Sequence, residues 1–313
     1  MEEMRKDVPR HLALFALVLL VTGGSVHSPK TLSVVTTLPD LRSITEEIGG
    51  DRVDVISIAT GYQNPHFVDP KPSHILKLSR ADMFVTVGLD LTLGWVPPLL
   101  TSSRNARIQP GAAGYVDTSI GVPLLQIPSS VSRERGDIHI FGNPHYWLDP
   151  VQGHRIAQNI HDALVRLQPE DQDYFTANLQ SFNLRLDTKI SEWKAKMLPF
   201  QGTTIIAYHN QWPYFEAAFG LEIAEFLEPR PGIPPTPSQL AKVIRLMQQE
   251  EINVIIISPY YKPDAAELVA RNVNGKVVIM ASSVDAFPEV KTYFDLFDYN
   301  VNLMIEALDS SSP

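Results

Sequence analysis

Residues 169–197 read PEDQDYFTANLQSFNLRLDTKISEWKAKM, and this stretch decides the predicted fold. Apolar residues recur in it every three or four positions, which is the spacing of one face of an α-helix. They are Phe175, Leu179, Phe182, Leu186, Ile190, Trp193 and Met197. At 1.5 Å per residue such a helix would be about 40 Å long, enough to cross a whole domain. The stretch therefore predicts a backbone that links two halves of the molecule.

Both halves of the chain around this helix alternate strands with short helices. The predicted strands are 31–37, 53–58 and 81–87 before the helix, and 203–207, 254–257 and 277–280 after it. Such alternation is typical of α/β domains with a largely parallel sheet. We therefore predict an α/β protein of two lobes, each with a mostly parallel sheet flanked by helices, joined by one long rigid helix. The predicted divisions are 29–168 for the first lobe, 169–198 for the helix and 199–313 for the second lobe.

Composition excludes several classes of protein and site. The 313 residues carry a formal net charge of −9, which argues against nucleic-acid binding because phosphate contacts need clustered Lys and Arg. Cysteine is absent, so there is no disulfide, no thiolate zinc site and no lipid-anchoring cysteine. Any bound metal must be held by His, Asp, Glu or water.

The first residues have the pattern of a secretory signal. Arg5, Lys6 and Arg10 form a basic start, and the apolar run at 12–21 is too short to span a bilayer. We therefore interpret 1–28 as a signal peptide, with an uncleaved membrane anchor as the alternative. Export without a lipidation cysteine predicts a periplasmic protein.

Three histidines lie far apart in the sequence, each in a frame of proline or aromatic residues. The frames are Asn64-Pro65-His66-Phe67-Val68-Asp69-Pro70, Gly142-Asn143-Pro144-His145-Tyr146-Trp147-Leu148-Asp149-Pro150 and Ala207-Tyr208-His209-Asn210-Gln211-Trp212. All three fall in loops or at the end of a strand, where ligands bind in open α/β sheets. Two come from the first half and one from the second, so we predict a metal site in the cleft between lobes, with Zn²⁺ favoured.

Other histidines are interpreted differently. His74, His154 and His161 fall inside predicted helices, spaced as surface residues, and are assigned structural roles. His139 and Asp137 lie just upstream of His145, close to a polar segment at 133–136 that we interpret as an exposed loop. They are additional candidates for the site.

The three frames, in this order and at this spacing, resemble the metal-binding solute receptors of ABC importers, which capture zinc or manganese for uptake. The stretch at 143–150 is the most distinctive, and the likeness extends over essentially everything after residue 28. The resemblance implies metal in the interlobe cleft, with His66, His145 and His209 at the positions of the family's ligands. It also implies a membrane permease as the partner, and we expect the receptor to be a monomer. Members with His at the third position tend to be zinc receptors, whereas manganese receptors tend to have Glu there.

One position departs from the family pattern. The resemblance places a fourth ligand, an Asp, shortly before the last helix, and Lys291 stands there in this sequence. A Lys ammonium cannot coordinate a cation. Water, Asp285, Glu289 and His139 remain the candidates for the fourth place.

Three other functions are weighed against a zinc receptor. A manganese or iron receptor has the same fold, but imidazole-rich sites suit zinc. A secreted zinc-dependent hydrolase would also need a general base, and the sequence has no His-Glu-x-x-His helix, no Gly-x-Ser-x-Gly elbow and no phosphate loop. A receptor for an organic solute would leave the framed histidines unexplained. We therefore predict a binding protein and not an enzyme.

Overall fold

The computed structural model describes residues 31–129, 139–230 and 232–309. The predicted signal peptide at 1–28, the predicted exposed loop at 133–136 and Asp137 lie outside these ranges. Residues from Thr31 onward form one compact unit. Among the described residues, no helix combines the length and apolar character needed to cross a bilayer.

The first half of the chain forms a four-stranded parallel sheet. Its strands are β1 (Leu32–Thr36), β2 (Val53–Ser57), β3 (Met83–Thr86) and β4 (Tyr115–Asp117), in the order β2-β1-β3-β4. The helices of this half are α1 (Pro39–Gly49), α2 (Pro72–Arg80), α3 (Val96–Ser103) and α4 (Gln152–Leu167). Strand β3 is buried along its whole length, which explains its continuous apolar sequence, since a central parallel strand is covered on both faces.

The second half repeats this topology. Strands β5 (Thr204–Ala207), β6 (Glu222–Phe226), β7 (Val254–Ile257) and β8 (Lys276–Ile279) form a parallel sheet in the order β6-β5-β7-β8. The helices of this half are α6 (Pro213–Phe219), α7 (Pro237–Gln249), α8 (Asp264–Val273) and α9 (Tyr293–Asp309). In both sheets the chain reverses its direction of winding between the two central strands. Ligands bind beyond the carboxyl ends of such strands.

Helix α5 (Gln172–Met197) connects the halves, with short 3-10 turns on either side of it. Its 26 residues correspond to about 39 Å. It packs against α1 and α4 of the first half and α9 of the second. The buried residues follow the predicted apolar stripe and are Phe175, Leu179, Phe182, Leu186, Trp193 and Met197. The predicted fold class, two parallel-sheet lobes joined by one long helix, is confirmed.

Some short elements were not predicted from the sequence, namely α3, α6, β4 and β6. Helices α3 and α6 both have a proline in their first turn, Pro97 and Pro213. Proline has no backbone N–H to lose there and its fixed φ suits a helix start, so a residue that usually marks a turn begins these helices. Likewise, α7 begins at Pro237, at the end of a proline-rich stretch.

The hydrophobic core passes from one lobe into the other. The larger buried cluster contains residues of both sheets, including Val85 and Ile256, and of the helices between them. Polar contacts join the same region: the Trp147 indole donates to the Ser282 carbonyl at 3.1 Å, and the Tyr293 hydroxyl donates to the Trp147 carbonyl at 2.8 Å. The lobes are therefore fixed to each other by packing as well as by the linking helix.

Candidate metal centre

His66 lies in the loop between β2 and α2, and this loop is held at two points. The Asn64 side-chain oxygen accepts the backbone N–H of His66 at 3.0 Å. The buried indole of Trp95 donates to the Pro65 carbonyl at 3.0 Å. Proline fixes its own φ, so the backbone entering His66 has little freedom left. These contacts hold the loop in the conformation that places His66 at the carboxyl edge of the first sheet.

His145 is fully buried at the start of a 3-10 turn formed by residues 146–148. The Asn143 side-chain oxygen accepts both the backbone N–H of His145, at 3.0 Å, and its ring Nδ1–H, at 2.9 Å. The Asn143 amide nitrogen donates to the Asn210 carbonyl at 2.9 Å, and so ties this loop to the second lobe. Because the amide oxygen can only accept, the proton lies on Nδ1 and the lone pair on Nε2.

His209 follows β5 at the carboxyl edge of the second sheet. Its ring Nδ1–H donates to Oε2 of Glu228 at 2.7 Å, and both side chains are buried. Glu228 follows β6, the strand next to β5, and its backbone N–H donates to the Tyr208 carbonyl at 3.0 Å. A carboxylate on Nδ1 fixes the tautomer and raises the basicity of Nε2, as it does for histidines that bind metals.

The fold brings these three histidines together. Each residue offers one ring nitrogen that could bind a metal ion, and these three nitrogens lie within 4.8 Å of one another. Ring centroids are 5.4 Å apart for His66 and His145, 5.7 Å for His66 and His209, and 5.9 Å for His145 and His209. Within the described parts of the chain, each Nε2 is buried and has no hydrogen-bond partner. Buried polar atoms are rarely left unpaired, so three unpaired imidazole nitrogens in one place indicate a cation site.

The cluster is electrically suited to a cation. Burial, reinforced by the neighbouring histidines, lowers the pKa of His66 from 6.5 to about 3. The same causes hold the pKa of His145 well below its usual range. Both rings are therefore neutral at neutral pH, which is the form that coordinates a metal ion.

A cleft leads to the cluster from solvent. It has a volume of about 180 Å³ and includes the side chains of His66 and His209 in its wall. Asn64, Phe67, Glu228, Gly232 and Tyr261 complete the lining. This volume fits an ion with a few water molecules rather than a bulky organic solute, whose sites are typically some 300–1,000 Å³.

The candidates for a fourth ligand have different surroundings. Lys291 is 63% exposed, and its ammonium lies 3.5 Å from a carboxylate oxygen of Asp285. Asp285 is also paired with Arg42 at 2.6 Å, and Glu289 is exposed. Asp285 and Glu289 are not part of the cluster of donors found among the described residues. His139 also lies outside this cluster, but its ring stacks against that of His66 with centroids 5.1 Å apart.

The histidines assigned structural roles lie in helices, as predicted, and each has a local contact. The His74 ring accepts the backbone N–H of Lys71 at 3.2 Å. In α4, His154 bonds to Asn183 of α5 at 2.8 Å, and His161 contacts Thr176 of α5 at 3.1 Å. These rings serve helix ends and the packing of α4 on α5.

Sequence reasoning missed the acidic partner of His209. Glu228 directly follows a strand, at the carboxyl edge where polar residues often serve a site, and that position was the available signal. Asp90, which contacts His139, lies in the loop after the buried strand β3 and was also missed.

Two α/β lobes with a histidine cluster at the carboxyl ends of their strands define a two-lobed substrate-binding protein. Residues 34–307 match the family model described as "Zinc-uptake complex component A periplasmic", and the chain belongs to this family. The resemblance found in the sequence is thereby confirmed. Members of the family are transport substrate-binding proteins, so the prediction that the chain is not an enzyme is also confirmed.

Relatives and solved structures agree with this assignment. The manganese ABC transporter substrate-binding lipoprotein PsaA of Streptococcus anginosus is 24% identical over 306 residues, covering 95% of this chain and 96% of that protein. The metal ABC transporter substrate-binding lipoprotein FimA of Streptococcus parasanguinis is 24% identical over 303 residues, covering 94% and 95%.

The solved structures show that the fold is shared. The crystal structure of ZnuA superposes with a TM-score of 0.76 at 22% identity, covering 89% of this chain and 99% of that one. The Mn-bound periplasmic metal-binding protein from Candidatus Liberibacter asiaticus superposes with a TM-score of 0.74 at 18% identity, covering 89% and 100%.

Proposed function

We propose that this protein captures Zn²⁺ as the cargo of an ABC importer, with His66, His145 and His209 as ligands. The observation that carries the proposal is the convergence of three buried, unpaired Nε2 atoms from loops of both lobes. Ligands drawn from both lobes make the bound ion part of the interlobe contact. Release then requires a shift of loops or lobes, because the linking helix does not permit a wide hinge motion.

Donor chemistry favours zinc over manganese. Neutral imidazole suits zinc, whereas carboxylate and water suit manganese, and affinities for a given nitrogen site rise from manganese through iron toward zinc. The carboxylate of Glu228 is hydrogen-bonded to Nδ1 of His209 and does not face the ion as a ligand. Its charge therefore raises the basicity of the imidazole. Manganese is the second candidate, because relatives at 24% identity are named as manganese receptors.

We further propose that residues 1–28 direct export and that the mature receptor delivers its ion to a membrane permease in the periplasm. The basic start and short apolar run support the signal. Relatives are named lipoproteins, but this sequence has no cysteine. We also propose that the protein is a monomer. Its first lobe is formed by 29–168, its linking helix by 169–198 and its second lobe by 199–313.

Direct zinc titration of chelator-treated protein tests the assignment of the ligands. We expect zinc binding to weaken by at least about 10- to 100-fold in each of the variants His66→Ala, His145→Ala and His209→Ala. Metal sites in general lose this much affinity when only a hydrogen-bond partner of a ligand is removed. His154→Ala is the matched control, because His154 contacts Asn183 on the linking helix, and it should bind zinc like the unmodified protein. A variant that keeps full affinity would remove its residue from the site.

A further inference from the structure

A fourth histidine lies beside the cluster. The His139 ring is 5.1 Å from the His66 ring and 5.9 Å from the His145 ring, measured between centroids. These separations match those among the three proposed ligands. The His139 Nε2 is also buried and, among the described residues, has no hydrogen-bond partner.

A carboxylate orients this ring. Nδ1–H of His139 donates to Oδ1 of Asp90 at 2.5 Å. Oδ2 of Asp90 accepts the backbone N–H of Ile140 at 2.9 Å, so the same carboxylate holds both the ring and the backbone that carries it. Since the carboxylate accepts a hydrogen bond from Nδ1–H, the lone pair of His139 is on Nε2. This repeats the arrangement of Glu228 and His209.

Of the two carboxylate candidates for the fourth ligand, one is engaged in ion pairs and the other is exposed. Asp285 is paired with Arg42 and Lys291, and Glu289 is exposed. Coordination by Asp285 would require it to give up an ion pair of 2.6 Å. His139 would give up no hydrogen bond, because its Nδ1 contact with Asp90 is compatible with coordination through Nε2.

We propose that His139 is the fourth ligand and that Asp90 is its positioning residue, an assignment that rests on the proposed function. The coordination shell then consists of four imidazole nitrogens, and the carboxylates of Asp90 and Glu228 only orient two of the rings. Such a shell favours zinc over manganese, which prefers oxygen ligands. The His139 donor lies outside the set that is mutually within 4.8 Å, so we expect the ring to move inward when the ion binds.

X-ray absorption at the zinc edge counts the ligands directly. The zinc-loaded protein should show four imidazoles, and His139→Ala should show three imidazoles and one oxygen. In competition titrations with a zinc chelator, we expect His139→Ala to lose at least about 10- to 100-fold in zinc affinity. Its preference for zinc over manganese should also fall. His154→Ala again serves as the control.

The role of Asp90 needs a readout other than affinity. Asp90→Ala removes the acceptor for the His139 Nδ1 proton and should shift the visible spectrum of the cobalt-substituted protein. Asp90→Asn keeps an acceptor oxygen and should restore most of the unmodified spectrum. Thermal unfolding of each metal-free variant shows whether the fold is intact.

The outcomes separate the two proposals. If the unmodified protein binds zinc and His139→Ala keeps both its affinity and its ligand count, His139 is not a ligand and the three-histidine receptor stands. If the unmodified protein binds no zinc, the proposed function itself is wrong. An unchanged cobalt spectrum in Asp90→Ala would overturn the positioning role.

Discussion

At the scale of single residues, two histidines of the cluster, His145 and His209, are each oriented by a side chain bonded to Nδ1. Asn143 accepts a hydrogen bond from Nδ1–H of His145, and Glu228 accepts one from Nδ1–H of His209. Each of these two rings therefore keeps a fixed tautomer with its lone pair on Nε2. A ring that is already oriented loses little conformational freedom on binding an ion. The supporting residues should therefore matter almost as much as the ligands.

Replacement of Glu228 tests this support. Glu228→Ala should weaken zinc binding on the order of 10- to 100-fold, because it removes the acceptor that orients His209 and raises its basicity. The measurement is competition with a chelator of known zinc affinity. Glu222→Ala is the matched control, because Glu222 is an exposed glutamate at the start of β6. Equal affinities for the two variants would contradict the role of Glu228.

The sequence revealed the three framed histidines but not what lies behind them. Asn143 stands two residues before His145 and is part of the visible frame. Glu228 lies 19 residues from His209 and meets it through the pairing of β5 with β6. A partner that depends on strand register cannot be identified from local patterns.

At the scale of elements, the linking helix α5 is the part that the sequence predicted best. Its apolar stripe is long and regular, and packing on α1, α4 and α9 buries that stripe. Short elements were harder to predict. Helix α6 has seven residues and begins at Pro213, so it offers too few turns to show a period and starts on an apparent breaker.

Because α5 buries only its apolar stripe, replacing a residue of the stripe with alanine should destabilise the protein more than replacing an exposed residue of the same helix. Phe182 is 1% exposed, and its ring packs edge-on against Phe294 with centroids 5.3 Å apart. Phe182→Ala should lower the free energy of unfolding by about 3–5 kcal/mol in urea titrations of metal-free protein. Leu184, two residues away, is 71% exposed, and Leu184→Ala should change the free energy of unfolding by less than about 0.5 kcal/mol. Similar losses for both variants would contradict the packing described for α5.

At the scale of the whole molecule, the lobes are joined by a buried acidic contact that the sequence did not reveal. Asp40, in the first turn of α1, accepts the backbone N–H of Val284 at 3.0 Å and the hydroxyl of Ser283. Burial raises the pKa of Asp40 from 3.8 to about 7, although both hydrogen bonds oppose the rise. These residues are more than 240 positions apart, so only the assembled fold brings them together.

This contact predicts a pH dependence of folding. Because the folded-state pKa of Asp40 is the higher one, its contribution to stability is complete below about pH 4 and is lost as the pH rises through about 7. Asp40→Asn does not titrate. The stability of the variant relative to the unmodified protein should therefore increase across this range, by up to about 1.4 kcal/mol per pH unit.

Urea titrations of both metal-free proteins at several pH values between 4 and 8 measure this difference. Asp54→Asn, an exposed aspartate on β2, is the matched control. A stability difference for Asp40→Asn that stays constant over the range would show that Asp40 does not titrate there.

In the proposed function, zinc is held by histidines from both lobes. Crystals grown from chelator-treated protein and soaked in equal concentrations of Zn²⁺ and Mn²⁺ allow one direct measurement, the anomalous difference map at each metal edge. We expect a single strong peak at the zinc edge, within coordination distance, roughly 2.0–2.1 Å, of Nε2 of His66, His145 and His209. A peak at the manganese edge alone, or no peak among these three residues, would contradict it.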